Sequence, residues 1–326
     1  MYTFPSLDDF KSQRAQLGSR IKTTPCDLWT SDTKEKHIGS ETQIYLKREY
    51  LQHTGSFKAR GALSIMDSLD EEALSNGVIA ATGGNHGIAV SYAAKQKGVS
   101  AKIITHEGIN PYRYNRMIEY GAEVIKIPEL SKVFEVMNEC ANTENRYAIH
   151  AFDHPQITLG AGTCGLEFME QTHGALDAVI VPIGGGGLAS GISCAVKRYN
   201  PDCKVYGVEP VGANSMYQSL KKGSTLTMDP PCKSIADSLS APMSENWSYS
   251  VCRKFIDEIV LIEDNDMRNA MKIWQDDEDI LLEPACTATT AALIGPLKDK
   301  LKGQKVGLIM CGSNIDEQTY QDILGS

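Results

Sequence analysis

The chain has 326 residues, 42% of them hydrophobic and 22% charged, with a net charge of −9 and an isoelectric point near 5.3. That composition supports one large domain or two ordinary ones and excludes a disordered chain. The acidic balance argues against a nucleic-acid partner, which needs a basic stripe, and no stretch approaches the 18 continuous apolar residues of a membrane span.

The N-terminal "MYTFPSLDDFKSQR" carries acids early and has no apolar run of signal-peptide length. "TGSFKARGA" (54–62) then sets Lys58 among small residues, with Phe57 before it and Arg60 after. Glycine and alanine there let backbone or ligand approach closely. The stretch alone fits equally a helix start capped by Thr54 or Ser56, with Lys58 a surface charge. Next come a strand in "GVIAATGG" (77–84) and a helix over "NHGIAVSYAAKQKG", closed by Gly98. "SAKIIT" (100–105) and "AEVIKIP" (122–128) read as strands. "PYRYNRMIEYG" (111–121) and "KVFEVMNECANT" read as helices. "DAVIVPIGGGG" (177–187) is a strand entering a glycine run, followed by the helix "LASGISCAVKRYN"; "CKVYGVEP" (203–210) and "QKVGLIMCGSN" (304–314) are further strands.

Strands alternating with helices predict an α/β fold with a doubly wound, mainly parallel sheet, in which ligands gather at strand C-terminal ends. The expected organisation is a large cofactor-binding domain, 1–76 plus 151–326, with a smaller α/β domain, 77–150, inserted in it. The nine cysteines are odd in number, scattered and without a C-x-x-C pair. Reduced thiols in a cytoplasmic protein are therefore expected, rather than a disulfide scaffold or a zinc site.

Four consecutive glycines, Gly184, Gly185, Gly186 and Gly187, are costly in a folded chain unless their amides converge on an anion at a helix N-terminus. No G-K-[ST] follows, so the run is not a nucleotide P-loop, and Gly191 makes only a loose dinucleotide fingerprint. A flexible loop is the alternative. A lysine among small residues and a phosphate seat together suggest pyridoxal 5′-phosphate.

At this point the sequence resembles the threonine/serine dehydratase and serine racemase family of pyridoxal-phosphate enzymes, which have the tryptophan-synthase-β-like fold (fold type II). The resemblance rests on "KREYLQHTGSFKARGA", "TGGNHGIAVSYAAK", "FDHPQITLGAGTCGLE", "PIGGGGLASGI", "GVEP", "SIADSL", "LEPACTAT" and "CGSNID", in the family's order along nearly the whole chain. It implies that Lys58 is the catalytic lysine, forming a Schiff base with the cofactor, and that Phe57 lies near the pyridine ring. Gly184 to Gly187 would hold the phosphate, and Asn85 the ring's 3′ oxygen. Cys311 would face the pyridine nitrogen, where a thiol, unlike a carboxylate, does not enforce protonation; a buried filler is its other reading. Glu283 would help orient the ring or serve as a helix-start charge. The substrate carboxylate would meet Thr82 and the amides of Gly84, Asn85 and His86, with His86 itself better read as a satisfied helix-start histidine than as a catalyst.

Three positions depart from the family pattern. Gly83 replaces the serine that racemases carry, which speaks for elimination and against inversion. The family's metal site is matched at Glu209, but its later acid is Ser215, so a divalent metal stays open. The usual "ADG" turn reads Ala236–Asp237–Ser238. The implied activity is a dehydratase (ammonia-lyase) of amino-acid metabolism. It would convert L-serine, L-threonine or a 3-hydroxy relative to a 2-oxo acid and ammonia, with Lys58 taking the Cα proton. β-Replacement or racemisation is the alternative within the family; a non-covalent nucleotide-binding protein is the alternative outside it. The family suggests a homodimer.

Overall fold

The computed structural model describes residues 2–229 and 232–325. Among the described residues ten strands form two sheets. β1 (Cys26–Leu28), β2 (Gln43–Lys47), β7 (Ala178–Pro182), β8 (Lys204–Pro210), β9 (Glu258–Ile262) and β10 (Lys305–Ile309) make the larger one, in the order β1-β2-β10-β7-β8-β9. β3 (Val78–Ala81), β4 (Ala101–His106), β5 (Glu123–Ile127) and β6 (Tyr147–Ala148) make the smaller, in the order β5-β4-β3-β6. All neighbours are parallel except β1 and β2. The fold class expected from the strand–helix alternation is therefore observed.

The hydrophobic pattern explains the layering. Every residue of β7 is buried, as is all of β10 but its first, as befits parallel strands covered by helices on both faces. The core of the larger sheet runs from Ile44 and Leu46 through Val179, Val205 and Leu308 to Trp274. A second core lies on the smaller sheet and takes in Ala59 to Met66 of the helix Lys58–Ser68, ahead of residue 77. The lysine helix thus packs with the smaller sheet's core, while the residues just before it pair with Cys311 and Gly312, in the segment that follows the larger sheet's strand β10.

Glycines terminate and start helices where the backbone requires them. Gly98 closes the helix Asn85–Lys97 in the left-handed conformation, and Gly186, at φ +93°, begins the helix Gly187–Tyr199. The start of the lysine helix does not follow the alternative of a Thr54 or Ser56 cap. Its N-cap is Phe57, with no side-chain cap; Thr54 instead donates to the carbonyl of Ser56 at 3.2 Å.

Beneath that helix lies a buried ionic network. Arg60 donates to Glu49 at 2.8 Å and to Glu167 at 2.7 Å, and Lys47 donates to Glu167 at 3.0 Å and to the Thr24 carbonyl at 2.9 Å. All four ionic side chains are at most 2% exposed. Such a group is costly to assemble but more costly to break, because removing one partner strands a buried charge. It joins β2, the lysine helix and the helix Pro155–Gln171.

Candidate active site

Loops at the C-terminal ends of β3, β7 and β10 converge with the residues around Lys58. The main chain makes the first link: Phe57 N–H donates to the Cys311 carbonyl at 3.1 Å, Ser313 N–H donates to the Gly55 carbonyl at 3.0 Å, and Ser56 bridges Gly312. The "SFK" and "CGSN" stretches, some 250 residues apart in sequence, are therefore locked side by side.

Lys58 opens into a cavity lined by Phe57, Gly61, Ile65, His86, Ile157 and Ala161. Its amine donates to the Ala151 carbonyl at 2.8 Å. Burial in this apolar wall disfavours the ammonium form and lowers the lysine to about 8 from its ordinary 10.5, so a useful fraction is the neutral nucleophile near neutral pH. The residue after Ala151 carries the link to the glycine run. A Cβ on Gly185 would lie 2.2 Å from the Phe152 ring, and one on Gly187 would lie 3.1 Å from Ile157, which lines the lysine's cavity. Close approach thus requires glycine at 185 and backbone conformation requires it at 186. Gly184 abuts the Ser238 carbonyl. The run ends at a helix N-terminus, whose first amides have no partner within the helix.

The loop after β3 behaves similarly. Gly84 N–H donates to Thr82 Oγ1 at 3.1 Å, so that amide is used within the loop, whereas those of Asn85 and His86 belong to the first helical turn. The His86 ring lies 3.1 Å from the Ile149 carbonyl, and burial holds it neutral, down to about 3. That is the satisfied histidine expected from the sequence.

Glu283 is a hub. Only 1% exposed, it caps the helix Pro284–Ile294 and accepts from Asn85 Nδ2 at 2.9 Å, Asn314 N–H at 2.8 Å, Arg113 at 3.2 Å and Ser238 Oγ at 3.3 Å. Glu283 thus starts a helix, but as a buried carboxylate with several donors and not as a solvated charge. Asn85 is fixed from its other end by Asn314, at 2.5 Å. Cys311 is buried, and the adjacent Cys286 thiol together with burial pushes its own thiol well above the usual range, so it stays protonated.

Arg113, to which neither composition nor motif points, sits among these groups. Its Nε donates to the Asn314 carbonyl at 2.9 Å, NH1 pairs with Asp237, and NH2 reaches both Asp237 at 3.4 Å and Glu283 at 3.2 Å. A signal was available. The Asn110–Pro111 start places Arg113 in the first turn of the helix Pro111–Glu119, at the end of the helix dipole that disfavours a cation.

Glu209, the residue matching the family's metal-binding acid, accepts from the amides of Met216 at 3.0 Å and Tyr217 at 2.7 Å. Both its oxygens cap the helix Ser215–Lys222, and among the described residues no cluster of three or more His, Cys, Asp or Glu side chains is placed to hold a metal. These residues do not fit a divalent cation. Pyridoxal phosphate fits better: an amine of lowered basicity shares a cavity wall with a glycine cradle at a helix N-terminus.

Comparison with known proteins agrees. The family described as "Pyridoxal-phosphate dependent enzyme" matches residues 19–312. Phenylserine dehydratase of Ralstonia pickettii is 41% identical over 323 residues, 99% of this chain and 97% of that protein. L-threo-3-hydroxyaspartate ammonia-lyase of Saccharomyces cerevisiae is 33% identical over 322 residues, 98% of this chain and 96% of that protein. The crystal structure of serine racemase from Dictyostelium discoideum superposes with a TM-score of 0.85 at 35% identity, covering 95% of this chain and 99% of that one.

Proposed function

The chain belongs to the pyridoxal-phosphate dependent enzyme family, and we propose that within it the protein is an ammonia-lyase of the dehydratase type. It converts a hydroxy amino acid to a 2-oxo acid and ammonia by α,β-elimination. The observation that carries this is the buried amine of Lys58, lowered to about 8, in a cavity whose Ile157 wall also borders the glycine turn.

Lys58 would hold the cofactor through its amine and, once released by the substrate, would take the Cα proton. The amides of Gly184 to Gly187 hold the phosphate, where a helix N-terminus favours an anion. Phe57 would lie near the ring, Cys311 would face its nitrogen and Asn85 would meet its 3′ oxygen, with Glu283 holding the Asn85 amide in place. Thr82 and the first-turn amides of Asn85 and His86 take the substrate carboxylate. Bound pyridoxal phosphate supplies the electron sink that makes the Cα proton removable. Loss of that proton and of the β-hydroxyl, which leaves as water, gives an enamine that hydrolyses to the 2-oxo acid and ammonia. The apolar wall of Gly61, Ile65, Ile157 and Ala161 keeps bulk water from the amine.

Gly83 favours elimination over racemisation. A Cβ there would lie 3.0 Å from Thr105 Oγ1, and glycine offers no group to move a proton on that side. Two units, 1–76 with 151–326 and 77–150, meeting at this site, a cytoplasmic location and a homodimer complete the proposal. The nine free thiols suit a reducing compartment, and no helix among the described residues is long and apolar enough to cross a membrane.

The test is an assay of the pyridoxal-phosphate-loaded protein against a panel of hydroxy amino acids, reading 2-oxo acid, ammonia and the enantiomer of remaining substrate, with Lys58→Ala as control. Turnover that survives in Lys58→Ala, or inversion without 2-oxo acid, refutes the assignment.

A further inference from the structure

Given the proposed cofactor placement between Lys58 and the glycine turn, on which this inference rests, the segment joining them decides how firmly the site is held. Residues 150–154 belong to no helix or strand, yet the turn leans on them. The Phe152 ring backs Gly185, and Phe152 Cα lies 3.0 Å from the point a Cβ on Gly187 would occupy. Gly186 is backed by Ser248, whose Cβ lies 3.1 Å from the corresponding point there. Ser248 N–H in turn donates to Asp153 Oδ1 at 2.7 Å. The Ala151 carbonyl receives the Lys58 amine. Ala151, Phe152 and Asp153 therefore fix the lysine and the glycine turn together.

A single atom braces all of them. His150 Nδ1 accepts from Asp153 N–H at 2.8 Å and from Phe152 N–H at 3.2 Å. Its ring also meets the Phe152 ring edge-on, with 4.7 Å between centroids. Asn110 makes the same pattern elsewhere in the chain: its Oδ1 accepts from Tyr112 N–H and Arg113 N–H, two and three residues on. At 150 an imidazole thus does what an Asx side chain ordinarily does. The chemistry differs in one respect. An amide oxygen accepts at any ordinary pH, whereas a ring nitrogen accepts only while its lone pair is free. A proton on Nδ1 would set a donor against two donors.

We infer that His150 is a positioning residue which, in its neutral form alone, holds Ala151, Phe152 and Asp153 against the glycine turn, so that the grip on the cofactor is coupled to the protonation of this one ring. His150 is exposed, so protons reach it from solvent. The titratable groups that face it are Asp153 on its own turn, Lys58 and His86 from the helices Lys58–Ser68 and Asn85–Lys97, and His154 at the start of Pro155–Gln171. Desolvation lowers His150 from its ordinary 6.5; Asp153 opposes this and Lys58 adds to it. The braced segment therefore binds this proton less readily than a released one. The brace is complete above 6.5 and weakens as pH falls below it.

The test is pyridoxal phosphate binding by equilibrium dialysis, from pH 5.5 to pH 8, to the parent, His150→Ala and His150→Asn. At pH 8 His150→Ala should bind at least about tenfold weaker, the scale of two lost hydrogen bonds. His150→Asn keeps an acceptor and should stay within about threefold of the parent. Lys58 and the cofactor titrate alike in all three proteins, so the ratio of parent to His150→Asn affinity isolates the imidazole. That ratio should fall at least about fivefold between pH 8 and pH 5.5. A His150→Ala protein that binds like the parent, a His150→Asn protein as weak as His150→Ala, or a flat ratio each overturns the inference. Should circular dichroism show His150→Ala unfolded, the pH dependence of the parent-to-Asn ratio still decides. A parent protein that binds no pyridoxal phosphate at any pH would refute the cofactor placement itself, and this inference with it.

Discussion

Phe152 rests against Gly185 so closely that a single methyl group at 185 would lie 2.2 Å from the ring. The preceding carbonyl, of Ala151, receives the amine of Lys58. One short segment thus holds the lysine amine and the glycine turn, the two ends of the proposed cofactor site, in register. Gly185→Ala must push the ring or the turn aside, at a cost of about 1–3 kcal/mol for overpacking. The expected result is a lower melting temperature and at least about tenfold weaker pyridoxal phosphate binding, by equilibrium dialysis. Phe152→Ala in the same chain should restore most of the stability but not the full affinity.

The lowered basicity of Lys58 predicts the pH dependence of cofactor capture. Adding pyridoxal phosphate to cofactor-free protein should produce a visible absorption band whose rate of formation rises with pH. The midpoint should lie near 8 rather than at the ordinary lysine value of 10.5. Stopped-flow absorbance measures it; Lys58→Ala should give no borohydride-reducible band at any pH.

Arg60, two residues beyond Lys58, is predicted to matter for stability before chemistry. Arg60→Met leaves Glu49 and Glu167 buried with one cation, Lys47, between them, and should cost about 3–5 kcal/mol in urea unfolding. A loss below 1 kcal/mol would show that the network is not what secures the lysine helix.

Glu209 gives a pH signature in the folded state. Burial pushes its carboxyl up to about 8, against the opposing pull of two backbone N–H bonds, from an ordinary value of 4.5. The folded state therefore binds this proton more tightly than the unfolded one. The stabilisation is full below 4.5 and is lost as pH rises through 8. Glu209→Gln cannot lose that proton. The stability difference, parent minus variant, should fall between pH 5 and pH 9 in urea titrations, and a flat difference would contradict the shift.

What could be read from the sequence, and what could not, follows from distance along the chain. Lys58 and the four glycines stand in contiguous stretches whose composition makes sense only at a crowded turn. The strands β3, β4, β7, β8 and β10 announce themselves as apolar runs. β2 does not, because Gln43, Tyr45 and Lys47 alternate with its buried Ile44 and Leu46, and a lysine reads as solvent-facing until its partner is known. That partner, Glu167, lies 120 residues away. Arg113 is missed for the same reason: it is an ordinary polar residue in its own segment, and only folding brings it to Glu283, Asp237 and the Asn314 carbonyl.

The position of β10 has a consequence for how the protein is made. This strand follows the other nine along the chain yet lies between β2 and β7, so among the described residues the pair β1–β2 joins the rest of the larger sheet through it. A ribosome-bound chain ending before residue 305 holds Lys58 and the glycine turn but not the strand that unites them. The proposed site therefore cannot be assembled until residues 305–314 have left the ribosome, and the pair β1–β2 must stay undocked from the larger sheet until then.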